Sequence, residues 1–274
     1  MPKPQTAHPI TYQQLVTELA ACGLGAGQVV LVHSSLSSLG WVVGGAQTVI
    51  QALLDVLTSS GTLMMPAHTG ENTDPANWVA PPVPESWWPI IQETRPAFDP
   101  LRTPTFRIGV IPELFRTWPG VVRSAHPVGS FAAHGPQAPF LTGDHLLEDT
   151  FGQRSPLGKL YALDGFVLLL GVGHENNTSL HLAEHRAHWP GRRTIREGTA
   201  MLVEGQRRWV EYDQLDFETE DFPIIGAAFE QERGIFRGKV GAATVRLMKQ
   251  RPLVDFAVTW METHRDFRSV EEVL

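Results

Sequence analysis

The chain has 274 residues, of which 42% are apolar and 19% charged, and its net charge is −7. This composition is typical of a globular protein with a sizeable core, and it excludes a low-complexity chain. The acidic balance argues against nucleic acid as the main partner and mildly favours a cationic one. Since no run of about 18 apolar residues is present and residues 1–14 lack an apolar signal core, we expect no membrane association and a cytoplasmic protein.

The first part of the chain is predicted to form a βαβ unit, preceded by a helix capped by Thr11. Apolar spacing and turn residues give the following order: helix 11–21, strand 28–32, loop 33–45, helix 47–57 and strand 62–65. This order implies parallel pairing of the two strands and a right-handed crossover.

Residues 70–104 differ from the rest, because they contain many prolines and three tryptophans and show no clear period. A long irregular insert in a compact domain usually carries function, and the tryptophans argue against disorder. Its aromatic and acidic side chains could line a pocket for a cationic ligand, and we select four as substrate-binding candidates: Glu71, Asp74, Trp78 and Asp99. A rigid structural flap is the alternative.

The remaining elements complete an α/β fold. We predict helix 108–118, a loop, short strand and turn in 123–136, helical pieces 145–152 and 158–163 around a break at Pro156, strand 166–170, an antiparallel hairpin of 194–203 and 207–212, helix 222–231, strand 235–240, helix 242–249, and a final helix or strand over 253–263. The expected architecture has three layers, with a central mixed, largely parallel sheet flanked by helices. Residues 1–274 are expected to form one domain, in which residues 70–104 are a flap on the substrate side.

Residues 166–187 indicate where the active site lies. A five-residue apolar run is broken by Gly171 and Gly173, and a helix that carries His181 then begins near Thr178. Open α/β sheets place active sites where buried strands end and helices begin. We therefore interpret His181 as a catalytic base.

A histidine base needs a carboxylate on its other ring nitrogen. Glu184 is three residues away, but both side chains would point out of one helix face. Asp213, at the end of the second hairpin strand, could approach from across the site, and Asp216 is a further possibility.

The same helix also spells H-x-x-E-H at residues 181–185, the inverted zinc-peptidase pattern. His181 and His185 could hold zinc with Glu184 as the base, provided that a downstream carboxylate supplies a third ligand. A chance match is the other interpretation, because the chain has 11 histidines.

The loop after the first strand is rich in serine and ends in Gly44-Gly45, directly before a helix. Glycine lets backbone approach a ligand closely, and free N–H groups at a helix start suit a phosphate or pyrophosphate. The loop contains neither a Walker sequence nor GxGxxG.

Several stretches together resemble the aminoglycoside 3-N-acetyltransferases. They are VLVHSSLSSLGWVVGG (30–45), MMPAHTGENTDPANW (64–78), AFDPLRTPTFRIGVIPELFR (97–116), RSAHPVGSFAAHGP (123–136), SPLGKLYALDGFVLLLGVGHENNTSLHLAEHRA (155–187) and FRGKVGAATVRLM (236–248). The resemblance covers nearly the whole chain in order, and it is far more specific than the five-letter H-x-x-E-H.

The resemblance implies transfer of an acetyl group from acetyl-CoA to the 3-amino group of an aminoglycoside, without a metal. It implies that His181 is the general base and that Asp213 orients it, while His185 stands where a tyrosine is expected. The residues expected to hold the cofactor are six from the start of the loop and the two glycines that end it: His33, Ser34, Ser35, Leu36, Ser37, Ser38, Gly44 and Gly45.

Three alternatives stay open at this point: a zinc metallopeptidase, acetylation of an amine that is not an antibiotic, and a non-catalytic protein that binds CoA or a sugar. The sequence is compatible with a monomer or a homodimer.

Overall fold

The computed structural model describes residues 8–79 and 81–265. Its α-helices are α1 (Tyr12–Ala21), α2 (Leu36–Leu39), α3 (Ala46–Leu57), α4 (Trp88–Thr94), α5 (Val110–Phe115), α6 (Ala138–Thr142), α7 (Pro156–Ala162), α8 (Ser179–Arg186), α9 (Phe222–Arg233) and α10 (Gln250–His264). Its strands are β1 (Val29–Ser34), β2 (Thr62–Pro66), β3 (Val122–Arg123), β4 (Phe131–His134), β5 (Phe166–Leu170), β6 (Thr194–Val203), β7 (Gln206–Leu215), β8 (Phe236–Val240) and β9 (Ala243–Lys249). Short 3₁₀ turns occupy Pro75–Asn77, Glu85–Trp87 and His174–Asn176.

Seven strands form one mixed sheet in the order β3-β4-β2-β1-β5-β9-β8, while β6 and β7 form a separate antiparallel hairpin. The centre is parallel, since β1 pairs in parallel with both β2 and β5, and Leu31 lies opposite Met64 and Val167. The outer pairings are antiparallel. The predicted mixed sheet with a parallel centre, flanking helices and a hairpin is confirmed.

The central strands are apolar throughout because both of their faces are covered. Val30 and Val32 pack into a core that includes residues of α1 and α3. Leu31, from the same strand, points into a second core that includes residues of α7, α8 and α10. Alternate side chains therefore fill opposite layers, as a strand between two helical layers requires.

The structure corrects several element predictions. The predicted helix 242–249 is strand β9. Its buried residues Ala243, Val245 and Leu247 alternate with the less buried Thr244 and Arg246, and β9 pairs with β5 and β8. Residues 145–152 contain no helix. Pro156 begins α7 instead of breaking it, as proline at a first helical position should, and Ser155 caps that helix. Helices α2 and α6 were not predicted, and the final element is helix α10.

The insert 70–104 is irregular except for α4 and two 3₁₀ turns, and it packs against the hairpin. The Phe98 amide donates to the Ala200 carbonyl at 2.8 Å. The Arg207 side chain donates to the Arg95 carbonyl at 3.0 Å. A single domain over residues 1–274 stays a prediction, and that range extends beyond the described residues. Among residues 8–79 and 81–265, no helix has the length and apolarity of a membrane span.

Gly171 closes β5 in a conformation that suits glycine, with a φ of 75°. A Cβ at this position would lie 2.7 Å from the Cβ of Ser38 and 3.1 Å from that of Ala243. The chain therefore turns out of the sheet directly beneath the serine-rich loop. Only a residue without a side chain allows that approach.

We predict that Gly171→Ala destabilises the protein more than Gly205→Ala. Both positions have positive φ, which costs a substituted residue about 1–3 kcal/mol, but a Cβ at Gly205 would meet nothing within 4 Å. Urea unfolding of both variants measures the difference, which reports the crowding against Ser38. Equal losses of unfolding free energy would contradict the close approach.

Candidate active site

A cavity of about 940 Å³ opens where the three parallel strands end. Ser34 at the end of β1, Pro66 at the end of β2 and Val172 just beyond β5 all line it, together with His181 from α8. The carboxyl ends of parallel strands therefore meet the first turns of a helix at one place. This is the position at which open α/β sheets bind ligands.

His181 is held rigidly in the wall of this cavity. Its Nδ1 lies 2.7 Å from Oε2 of Glu184. The imidazole stacks on the Phe151 ring at a centroid distance of 4.8 Å, and the rings of Phe217 and Phe222 contact it edge-on. Because the carboxylate occupies Nδ1, Nε2 is the nitrogen left for a ligand.

Glu184 is fully buried, and its second oxygen is also bonded. Oε1 accepts from the Glu218 amide at 2.8 Å and from Nη1 of Arg265 at 2.9 Å. Arg265 in turn donates to both oxygens of Asp221, at 2.7 and 2.8 Å. A buried carboxylate is tolerated only when charges and hydrogen bonds compensate it, and here they do.

Asp213 is not the carboxylate that contacts His181, so this part of the sequence interpretation is corrected. It lies on β7 opposite Arg196, and its carboxylate pairs with that guanidinium at 3.1 Å. Its side chain is 69% exposed. Glu184 and His181 do share one helix face, and the spacing of three residues is what allows them to meet. Asp216 pairs with Arg193 instead.

The predicted cofactor loop borders the cavity along most of its length. The residues of this set that line it are His33, Ser34, Ser35, Leu36, Ser37 and Gly45. Ser38 lies behind the wall and donates to the Ser35 hydroxyl at 2.9 Å. Gly44 also lies outside the lining, and its φ of 77° forms the turn into α3. Cofactor binding by these residues stays a prediction.

None of the four insert residues predicted to bind substrate lines this cavity. Glu71 and Asp99 border a neighbouring groove of about 790 Å³, where Asp99 pairs with Arg102. Asp74 accepts from Gln92, and the Trp78 ring is covered by Arg95 at 5.0 Å. The carboxylates of Asp74 and Asp99 are therefore partly occupied within the protein, and contact of the four residues with a substrate stays a prediction.

Two further histidines line the cavity, and sequence reasoning selected only His33. Burial, followed by the nearby His181, lowers the pKa of His33 to about 3. Burial likewise lowers the pKa of His68 to about 3, with His33 and His181 contributing in the same direction. His68 follows the buried strand β2 by two residues, and His33 is the second-last residue of β1, so the position of His68 after a strand was a signal that could have identified it.

His185 does not line the cavity. Its Nδ1 lies 3.8 Å from Asp149, and burial lowers the pKa of His185 to about 4 although Asp149 opposes that shift. Within residues 8–79 and 81–265, no group of three or more His, Cys, Asp or Glu side chains is arranged to hold a metal ion. The carboxylate of Glu184, which a peptidase would need as its base, is engaged by Arg265.

Comparison with known proteins gives a consistent match. A family model described as aminoglycoside 3-N-acetyltransferase matches residues 31–262. The chain is 49% identical over 256 residues to the SPbeta prophage-derived aminoglycoside N(3')-acetyltransferase-like protein YokD of Bacillus subtilis, a match that covers 93% of each. It is 40% identical over 272 residues to aminoglycoside N(3)-acetyltransferase VII of Streptomyces paromomycinus, covering 93% of this chain and 92% of that protein.

Solved structures agree with the sequence comparison. The crystal structure of YokD from Bacillus subtilis superposes with a TM-score of 0.93 at 48% identity, covering 95% of this chain and 96% of that one. A structure described as AAC-IIIb binary with CoASH superposes with a TM-score of 0.84 at 33% identity, covering 93% of this chain and 97% of that one.

The buried histidines predict that the protein loses stability in mild acid. Burial lowers the pKa of His33, His68, His126 and His185 to between about 3 and about 4. Below about pH 6.5 these histidines bind protons in the unfolded chain but stay neutral in the folded protein. The free energy of unfolding therefore falls by up to about 1.4 kcal/mol per pH unit for each histidine. Burial raises the pKa of Glu197 and Glu218, which opposes this loss, but these are only two groups.

We expect the free energy of unfolding, measured with urea, to fall steadily between about pH 7 and about pH 5. A free energy that stays constant or increases across this range would show that these histidines are not buried as neutral groups.

Proposed function

The chain belongs to the aminoglycoside 3-N-acetyltransferase family and is therefore an acyltransferase that uses acetyl-CoA, and we propose that it acetylates the 3-amino group of aminoglycosides by direct transfer with His181 as the general base. One observation carries the proposed mechanism: His181, bonded through Nδ1 to the buried Glu184, turns its remaining nitrogen to a large cavity at the sheet edge. We place the reaction in the cytoplasm, where acetyl-CoA is available.

The base has a defined task. An ammonium group cannot attack a thioester until it has lost a proton. That first proton leaves to solvent, and Nε2 of His181 accepts a second proton as the neutral amine nitrogen bonds to the thioester carbon. Glu184 stabilises the imidazolium that forms, and it also fixes the proton of the neutral ring on Nδ1. The imidazolium then protonates the departing CoA thiolate, which leaves the amide product and free CoA.

Cofactor binding is assigned to the loop of residues 33–38 and to the start of α3. The cavity reaches both, since Ser35, Ser37 and Gly45 line it. Backbone N–H groups at the start of a helix favour phosphate groups. Direct transfer needs no covalent intermediate, and the one cysteine, Cys22, is buried beside the carbonyl of Lys239 and does not line the cavity.

The sequence-based alternatives are resolved to different degrees. Family membership removes the reason for a zinc peptidase or a non-catalytic binding protein. The identity of the amine remains part of the proposal, because the aminoglycoside comes from the family description and from the names of relatives. The negative net charge favours a polycationic acceptor through long-range attraction.

We predict that the protein releases free thiol from acetyl-CoA when an aminoglycoside is supplied. A thiol assay with a panel of aminoglycosides, simple primary amines and no amine measures this directly. Mass spectrometry of the product should show one acetyl group on the 3-amino position. Release only with simple amines would overturn the aminoglycoside assignment, and no release with any amine would overturn the proposed function.

We further predict that His181→Ala lowers kcat by about 10²–10⁴, the range for loss of a general base. Glu184→Gln should also lower kcat strongly, because a neutral amide cannot stabilise the imidazolium. Asp213→Asn is the matched control, since Asp213 pairs with Arg196 on the exposed hairpin, and its activity should stay near that of the wild type. CoA binding by calorimetry verifies that each variant is folded.

The reverse order, in which Asp213→Asn is impaired more than Glu184→Gln, would reject Glu184 as the partner of His181. Near-full activity of His181→Ala would remove this histidine from the mechanism.

A further inference from the structure

Three buried polar atoms in the cavity wall have no hydrogen-bond partner. They are Oγ of Ser34 and both ring nitrogens of His68. Buried polar groups in folded proteins are nearly always bonded, so unbonded atoms in residues that line a cavity need an explanation. In the part of the chain that the structure describes, the other unpartnered side-chain atoms do not line this cavity. The reactants are the candidates to supply the missing partner.

The two residues lie at the ends of adjacent parallel strands. Ser34 is the last residue of β1, and His68 follows β2 by two residues. The register pairs Leu31 with Met64, so the continuation of both strands brings Ser34 level with the residue before His68. The backbone around His68 is fixed, because the Phe106 amide donates to its carbonyl at 2.9 Å.

His68 and His181 flank the same phenyl ring. The Phe151 centroid lies 5.3 Å from that of His68 and 4.8 Å from that of His181. The Phe131 ring meets His68 edge-on at 5.0 Å. Aromatic packing therefore sets the orientation of the His68 ring without using either of its nitrogens. The imidazoles of His68 and His181 belong to residues that line the same cavity.

His68 is a neutral imidazole at physiological pH. Burial lowers its pKa to about 3, with His33 and His181 next in effect, and the Ser130 backbone only partly opposes the shift. A neutral imidazole carries one N–H donor and one acceptor nitrogen. Neither ring nitrogen has a hydrogen-bond partner of normal geometry, although the Ser130 backbone lies close enough to oppose the shift of the pKa, so a bound ligand can determine which nitrogen carries the proton.

We propose that the His68 N–H and the Ser34 hydroxyl form the oxyanion hole for the acetyl group. The inference rests on the proposed acetyl transfer. When the amine nitrogen bonds to the thioester carbon, the carbonyl electron pair moves to oxygen, and these two donors bind the resulting oxyanion. The pair then returns, the C–S bond breaks, and the thiolate takes the proton held by His181. His68 gains and loses no proton in this sequence.

A neutral donor suits this role for a physical reason. A charged imidazolium at position 68 could give its proton to His181 in place of the amine, and it would repel a cationic substrate. Fixed donors aimed at developing charge in a site that excludes water contribute strongly, and the loss of one typically costs about 10²–10³ in kcat.

The rival explanation is that His68 only fills space between Phe131 and Phe151. Two substitutions separate the explanations, because they change shape and donor capacity in opposite ways. His68→Phe retains a planar ring of similar size but has no donor. His68→Asn removes the ring but keeps an N–H donor in its side-chain amide.

The experiment measures kcat for thiol release, the affinity for CoA by calorimetry and the pH dependence of kcat/KM. His134→Phe and His134→Asn are the matched controls, since His134 lies on β4 outside the cavity lining. We expect His68→Phe to lose about 10²–10³ in kcat, and His68→Asn to retain at least about tenfold more activity than the Phe variant. We also expect unchanged CoA affinity, an unchanged pH profile for the Asn variant, and wild-type activity for both controls.

Greater activity of His68→Phe than of His68→Asn would show that His68 serves packing and would overturn the inference. A loss confined to CoA affinity, or a pH profile that loses an ionisation, would overturn it as well. In each of these cases an active wild type preserves the proposed function. A wild type that releases no thiol with any amine would overturn both.

Discussion

The structure depends on one buried carboxylate. Glu184 is completely removed from solvent, and its two oxygens bond to His181, to the Glu218 amide and to Arg265. Such a group is stable in the interior only if every part of this network is in place. The same network therefore orients the proposed base, His181, and joins three distant parts of the chain: helix α8, the segment that leads into α9, and the residue after α10. Arg265 lies just beyond the residues that the family model matches.

The rest of the fold places this network at the edge of the sheet. Parallel pairing of β1 with β2 and β5 brings three strand ends together, and the turn at Gly171 directs the chain into α8 beside the serine-rich loop. His181 then lies in the first turn of α8, where its ring is held between Phe151 and Phe222. Aromatic packing restricts the imidazole, and the carboxylate fixes its tautomer. The geometry proposed for catalysis thus follows from local packing and hydrogen bonding at the place where distant strands and helices meet.

Local pattern was sufficient for the centre of the fold. The apolar runs of β1, β2 and β5, the glycines after β5 and the cap region of α8 are all visible in the sequence, and they were enough to select His181. Pattern was insufficient where the outcome depended on distant partners. Asp213 was preferred over Glu184 because Glu184 and His181 would point out of one helix face and because the resemblance implied a hairpin carboxylate. The position of the hairpin cannot be read from spacing, and the actual partner of Asp213, Arg196, lies on the other hairpin strand. The insert carboxylates were selected because an acidic, aromatic insert suits a cationic ligand; partners such as Arg102 were not considered, and contact with a substrate stays a prediction. Strand β9 was predicted as a helix because a short apolar segment fits both periods.

The most direct test of the central claim is the tautomer of His181. Two-bond ¹H–¹⁵N NMR spectra of the uniformly labelled protein, with His181→Asn used for assignment, distinguish a protonated from an unprotonated ring nitrogen. In mildly alkaline solution, the account predicts a proton on Nδ1, donated to Glu184, and a free lone pair on Nε2. A proton on Nε2 would leave the cavity-facing nitrogen unable to accept from an amine, and it would contradict the account.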